Sequence, residues 1–238
     1  MKTLPIGVST FESLINSDAL YVDKTEILYE LIKGKVPKRY FFSRPRRFGK
    51  SLTCSTLNAI FSGRKELFEN LWIGQSDYAW EKRPVISFDF SEISHKTPEA
   101  LMEGLHSILD EHAKIYNITL SKNGLKEKFA ELITILGTTI APVAIIVDEY
   151  DKPITNLIDH LEQAEQSRNE LRDFYGTLKG ASLDANVHFL FITGVSKLSK
   201  TGLLYELNLY DLSDDDRMIG LLLDTNQEID YYSDEYQY

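Results

Sequence analysis

The sequence predicts a three-layer α/β fold, a parallel sheet flanked by helices on both faces. Along the 238 residues, apolar runs of strand length alternate with amphipathic runs of helix length, the order of a doubly wound sheet. Residues 142–147, Pro-Val-Ala-Ile-Ile-Val, are continuously apolar, as a strand buried on both faces of a parallel sheet requires. Residues 39–51 read as a short hydrophobic strand, a basic turn, and Gly49-Lys50-Ser51 opening a helix.

In chain order, residues 4–17 are expected to be a loop and a short helix, with Ser9 or Thr10 as N-cap and Phe11, Leu14 and Ile15 as its apolar stripe. Asp23 or Thr25 caps the next helix, Glu26 to Lys33, where Ile27, Leu28, Leu31 and Ile32 recur at helical spacing. A second reading lays residues 21–25 over the adenine side of a nucleotide. Lys38–Ser43 is the first core strand. The helix after the basic turn covers Lys50–Phe61 and stops at Ser62-Gly63. A further short helix spans Lys65–Trp72, and Pro84–Ser91 is the second strand. Helices follow over Pro98–Tyr116 and Leu125–Leu136, then the apolar strand Pro142–Glu149. Pro153 starts a short helix to Leu161, and Gln163–Leu178 is amphipathic through Leu171, Phe174, Tyr175 and Leu178. His188–Gly194 is the fourth strand and Leu207–Leu212 a fifth.

The net charge of −10 argues against non-specific nucleic-acid binding by the chain as a whole. The charge is uneven, however. Residues 31–65 contain ten Lys and Arg and no acidic residue, whereas 211–238 are rich in Asp and Glu with Arg217 as the single basic residue. A basic stretch in an acidic chain suggests a local polyanion site, and a nucleoside triphosphate is the simplest such ligand. Cys54 is the only cysteine, which excludes a disulfide framework and a thiolate metal cluster; it reads as a small core filler. The five histidines lack ligand spacing, against a zinc site. No run reaches the length of a membrane span, and the chain is read as cytoplasmic.

Strand, turn, Gly-Lys-Ser and helix is the layout of a phosphate-binding P-loop. Backbone N–H groups from Arg46 through Arg47, Phe48, Gly49, Lys50 and Ser51 to Leu52 would cradle phosphates, Lys50 would reach the β/γ-phosphates, and the Ser51 hydroxyl would ligate Mg²⁺. One position departs: G-x-x-x-x-G-K-[ST] asks for Gly where Arg44 stands. The first Gly mainly permits a tight turn, and Pro45 stiffens this one. Arg44, Arg46 and Arg47 either grip phosphate or are solvated and paired with acidic loops.

Asp148 ends the most apolar strand and Glu149 follows it. In a P-loop ATPase an Asp there holds Mg²⁺ and the next Glu polarises the attacking water. Such a pair also caps turns, but together with the upstream Gly-Lys-Ser it is assigned to one nucleotide site. Thr193 ends the fourth strand, where an additional-strand ATPase carries a polar residue near the γ-phosphate; Thr193-Gly194 also reads as a plain turn, and Ser196 and Lys197 are candidates for the same role. Arg172 is either a helix-surface charge or an arginine finger for this site or a neighbouring subunit of an oligomer. The absence of an Asn-Lys-x-Asp guanine motif favours ATP over GTP.

Residues 43–51 (Ser-Arg-Pro-Arg-Arg-Phe-Gly-Lys-Ser), preceded by residues 4–7 and 21–25, resemble the AAA-ATPase-like family of bacterial and archaeal proteins. Residues 147–153 (Val-Asp-Glu-Tyr-Asp-Lys-Pro), 171–175 and 191–197 match the same family, so the resemblance covers about residues 4–212. Arg44 belongs to that family's own pattern. The resemblance implies ATP and Mg²⁺ as cofactors, a P-loop ATPase-like domain over residues 1–212, and the start of a helical lid, truncated or frayed, over 213–238. In this family the ATPase-like domain is often followed by a PD-(D/E)XK nuclease-like domain, which implies DNA or an effector domain in trans as partner here, where no second nuclease-type cluster follows. Weak Mg²⁺-dependent ATP hydrolysis is the leading expectation. The alternatives are a non-hydrolysing nucleotide-gated or DNA-associated module, and a direct nucleic-acid binder acting through the basic region.

Overall fold

A computed structural model describes residues 8, 10–17, 19–33, 38–157, 159–197, 202–204 and 207–215. Residues 4–7, Ser9, Arg217 and the expected lid from Gln227 lie outside them. The elements in order are α1 (Phe11–Asn16), α2 (Thr25–Ile32), β1 (Lys38–Ser43), α3 (Lys50–Phe61), two 3₁₀ turns (Lys65–Phe68 and Trp72–Gln75), β2 (Val85–Asp89), α4 (Pro98–Ile115), α5 (Leu125–Thr139), β3 (Val143–Asp148), α6 (Lys152–Thr155), α7 (Leu161–Gly176), a 3₁₀ turn (Thr177–Lys179), α8 (Ala181–Asp184), β4 (Val187–Gly194) and β5 (Tyr210–Asp211). The five strands form one sheet in the order β2-β3-β4-β1-β5, and every pairing is parallel. The predicted three-layer α/β fold, consistent with a P-loop NTPase, is what the chain forms.

Side chains alternate across the sheet with period two, and this divides the core. Phe41, Phe88, Val147 and Ile192 point to the face covered by α4, α5 and α7. Phe42, Ala144, Ile146 and Phe191 point to the face covered by α1, α2 and α3. β3 is buried at all six positions, which is why its sequence lacks any polar alternation until Asp148.

Several boundaries differ from expectation. The segment 65–72 is not one helix: a 3₁₀ turn covers Lys65–Phe68 and a second begins at Trp72, folded back so closely that a Cβ at Gly74 would lie 1.9 Å from the Phe68 carbonyl oxygen. The helix expected after Pro153 is a single turn, α6, and Leu161 begins α7. The fifth strand shrinks to Tyr210–Asp211; Asn208 takes φ 48°, which no strand accommodates. Asp23 and Thr25 act as ties rather than simple caps. Asp23 accepts from the Thr25 N–H at 2.9 Å and from the Trp72 N–H at 2.6 Å, while the Thr25 hydroxyl accepts from the Ile73 N–H at 3.1 Å.

The free edge of β2 is covered from α4 by two side chains one helical turn apart. Tyr116 Oη accepts from the Val85 N–H at 2.8 Å, and His112 Nε2 lies 3.1 Å from the Ser87 nitrogen and 3.0 Å from its carbonyl oxygen. Tyr116 and His112 thereby bond outward backbone groups at Val85 and Ser87 and stand where another chain would pair with this edge. Tyr116→Phe is expected to destabilise the fold by about 1–2 kcal/mol, the penalty for a buried N–H without an acceptor. A lower urea midpoint at unchanged slope checks this.

His188, at the start of β4, packs edgewise on Phe61 with ring centroids 6.2 Å apart. Burial, aided by the Arg83 and Lys38 cations, pushes its pKa down to about 4 from 6.5. Between those values the unfolded chain takes up a proton that the folded chain refuses, so stability is lost as pH falls through this window. After discounting for partial exposure the loss is about 1–2 kcal/mol. Urea midpoints at about pH 7 and about pH 4.5 should show it, and His188→Gln should flatten the dependence.

Candidate functional site

β1 delivers the chain to residues 44–49, which turn it into α3. Gly49, in the N-cap position, has φ 66°, and Arg47 has φ 69°. The left-handed conformation is free for glycine, but at Arg47 it costs about 1–2 kcal/mol. Gly49 provides no side-chain cap, so the N–H groups of Lys50, Ser51 and Leu52 leave the first turn of α3 without intrahelical acceptors. The aligned peptides add partial positive charge there. Thr53 closes the turn onto the Gly49 carbonyl through its N–H at 2.9 Å and its hydroxyl at 3.0 Å.

Lys50 is folded into the loop. It is 6% exposed, and its Nζ donates to the Pro45 carbonyl at 2.8 Å. Burial holds the ammonium below the ordinary lysine range, against the opposing pull of Asp148, Glu149 and Asp151. Asp148 faces it from the end of β3. Its carboxylate accepts from the Thr193 hydroxyl and from the Glu149 N–H at 3.0 Å, and the nearby Ser51 side chain favours its charged form. Burial still raises its pKa, with the Asp89 and Glu149 carboxylates adding to the rise.

Glu149 is left-handed, with φ 55°, and its carboxylate is paired with Lys152 Nζ at 2.5 Å. The rest of that turn is fastened to the tip of β4. The Tyr150 N–H donates to the Thr193 carbonyl at 2.9 Å, and the buried Asp151 carboxylate accepts from the Val195 N–H at 3.2 Å and the Ser196 N–H at 2.6 Å. Glycine is required at 194, where a Cβ would lie 2.4 Å from the Tyr150 ring and 2.6 Å from Asp151 Oδ1.

Lys50, Ser51, Asp148, Glu149 and Thr193 therefore come together at the carboxyl ends of the strands, where β4 lies between β1 and β3. Thr193 is fully buried, and its hydroxyl donates to the Asp148 carboxylate. Phe48 and Leu52 are partly buried in the loop and the first turn. Arg46 and Arg47 are exposed on the rim, and their guanidiniums make no hydrogen bond or ion pair among the described residues. Three candidates turn elsewhere. Arg44 donates to the Ser213 carbonyl, Lys197 pairs with Asp214 at 3.4 Å, and Arg172 donates at 3.2 Å to Asn169 on its own exposed helix face.

Sequence reading missed three participants. Asp89 pairs in register with Asp148, and its signal was its place at the end of the second strand. Lys152 was visible as the residue three after Glu149. Asp151 was visible only as one more acid in a turn. Cys54 is the core filler expected, buried in the apolar cluster on the α3 face of the sheet, and burial pushes its thiol pKa well up.

The donor set suits a hard divalent ion and a polyphosphate. Among the described residues no three His, Cys, Asp or Glu form a metal cage. The Ser51 hydroxyl and the Asp148 carboxylate offer two oxygens, which fits Mg²⁺, an ion that usually keeps several waters and takes phosphate oxygens. Lys50, the first-turn N–H groups and the rim arginines offer the complementary donors.

A family model described as Predicted AAA-ATPase matches residues 5–204. A protein of Azotobacter chroococcum mcd 1, called the uncharacterized protein in the vnfD 5′ region, is 36% identical over 233 residues, which cover 96% of this chain and 44% of that protein. The chain thus spans under half the length of this relative. No solved structure matches it. Among the described residues no helix is long and apolar enough to cross a membrane.

Proposed function

The chain belongs to the AAA-ATPase-like family, and on that premise we propose that it binds ATP with Mg²⁺ at this site and hydrolyses it slowly. The observation that carries the proposal is the buried Lys50 ammonium in a loop that closes on the α3 N-terminus, facing the buried Asp148 carboxylate. Lys50 exchanges the Pro45 carbonyl for β/γ-phosphate oxygens, and the N–H groups of Lys50, Ser51 and Leu52 donate to the same phosphates. Ser51 and Asp148 hold Mg²⁺, which when bound neutralises phosphate charge. Thr193 keeps the Asp148 carboxylate in place, and Glu149 takes a proton from the attacking water. Two non-glycine residues in left-handed conformation, Arg47 and Glu149, flank the site; local strain of this kind gathers where binding needs a preset geometry.

The Lys152–Glu149 pair favours a second reading. While that pair is closed, Glu149 is engaged with an ammonium, and the chain acts as a nucleotide-gated switch that binds without turnover. Calorimetry with ATP and Mg²⁺, combined with a phosphate-release assay with and without DNA, separates the two. Binding with phosphate release supports the ATPase, and binding without release supports the switch. No binding in either condition sinks both. ATP-independent, salt-sensitive DNA affinity would instead favour the basic region as a nucleic-acid surface.

A further inference from the structure

Arg44 occupies the position where a phosphate loop of the general pattern has glycine. Its surroundings are defined from three sides. Its N–H donates to the Gly194 carbonyl at 3.1 Å, at the end of β4. Its guanidinium donates to the Ser213 carbonyl, just past β5, and lies 5.6 Å from the centre of the Phe42 ring. Beside it, the Ser43 N–H donates to Ser213 Oγ at 2.8 Å, and the two serine hydroxyls are 3.1 Å apart. Ser43 and Ser213 are both buried.

β5 needs such help. It pairs with β1 over two residues, and the Leu212 N–H adds one bond to the Phe41 carbonyl at 2.8 Å. A two-residue pairing at a sheet edge holds little on its own. A charge-assisted bond to a partly buried carbonyl is among the stronger contacts available. Arg44 thus joins three strand ends at the first residue of the loop: β1 through the chain, β4 through its N–H and β5 through its guanidinium. With its donors turned to Ser213, it faces away from the loop rim where Arg46 and Arg47 are exposed.

We propose that Arg44 is a positioning residue, a latch that fixes the chain leaving β5 to the entrance of the loop, and that it is not a phosphate ligand. The phosphate half of the proposal rests on the ATP reading above; the latch does not.

The test compares Arg44→Met, which keeps an apolar stem over Phe42 and removes the donors, with Arg46→Met and Arg47→Met. Amide exchange is followed at Ser43 and Leu212, and calorimetry gives the affinity for ATP with Mg²⁺ at low and high salt. Arg44→Met should speed exchange at both amides by about tenfold or more and leave the affinity and its salt sensitivity within about twofold. The rim variants should leave exchange unchanged and lower affinity most at low salt. Unchanged exchange in Arg44→Met overturns the latch. An affinity loss equal to that of the rim variants overturns the claim that Arg44 is not a ligand. Should Arg44→Met not fold, Arg44→Leu, which also removes the donors and keeps an apolar side chain beside Phe42, supports the same comparison. If the wild-type chain binds no ATP, the ATP reading fails while the exchange measurement still decides the latch.

Discussion

Lys50→Ala is expected to weaken binding of ATP with Mg²⁺ by about a hundredfold or more, equivalent to about 3 kcal/mol. The size follows from the ammonium's surroundings. It is buried, and its present partner is a single neutral carbonyl at 2.8 Å. A polyphosphate would replace that neutral contact with charge-assisted ones in a partly dehydrated loop, where they are stronger than at an open surface. Calorimetry on both proteins measures the difference, and equal affinities would remove Lys50 from the site. The wild type carries a pH signature as well. Burial holds the Lys50 pKa below the ordinary lysine value, so affinity is present below that lowered pKa and is lost as pH rises through it. An exposed lysine would lose its charge only at higher pH.

Glu149→Gln is expected to leave the affinity for ATP within about twofold and to lower phosphate release by about a hundredfold to ten-thousandfold, the range for removing a general base. The amide keeps the shape of the side chain and cannot accept the proton. Undiminished release in this variant would take Glu149 out of the reaction. Lys152 supplies a control. If its pair with Glu149 restrains the carboxylate, Lys152→Met should raise turnover by about twofold to fivefold, the worth of a partly exposed ion pair, without changing affinity. The turn around the pair is held by Tyr150 and Asp151, so release requires movement of two side chains and not of the backbone.

Legibility in the sequence followed the range of the interaction. β1 was read to the residue, because an apolar strand running into a basic turn and Gly-Lys-Ser is a local pattern. Asp148 was legible at the end of β3 as the first polar residue after a continuous apolar run, although it is itself buried. The start of α7 and the turns between 65 and 75 were misread, since close packing at Gly74 and the stop after α6 are set by contacts that no local periodicity records. Thr193 was identified as the polar end of its strand. That its hydroxyl meets Asp148 follows from β4 being inserted between β1 and β3, which is a matter of strand order.

The sequence by itself determined the alternation of strands and helices, the parallel sheet, the phosphate-type loop and the acidic end of the third strand. Each rests on short-range spacing, where side-chain periodicity and backbone geometry leave few choices. The tertiary structure decided where the arginines of the loop point and what Glu149 touches. Arg44 finds its acceptor at Ser213, 169 residues along the chain, and Glu149 is held by a rotamer of Lys152. The partner of Arg44 depends on which strand ends the completed sheet brings side by side, a choice made by packing the two faces of the whole sheet; the Glu149–Lys152 pair, three residues apart, forms within a turn that Tyr150 and Asp151 fasten to the tip of β4.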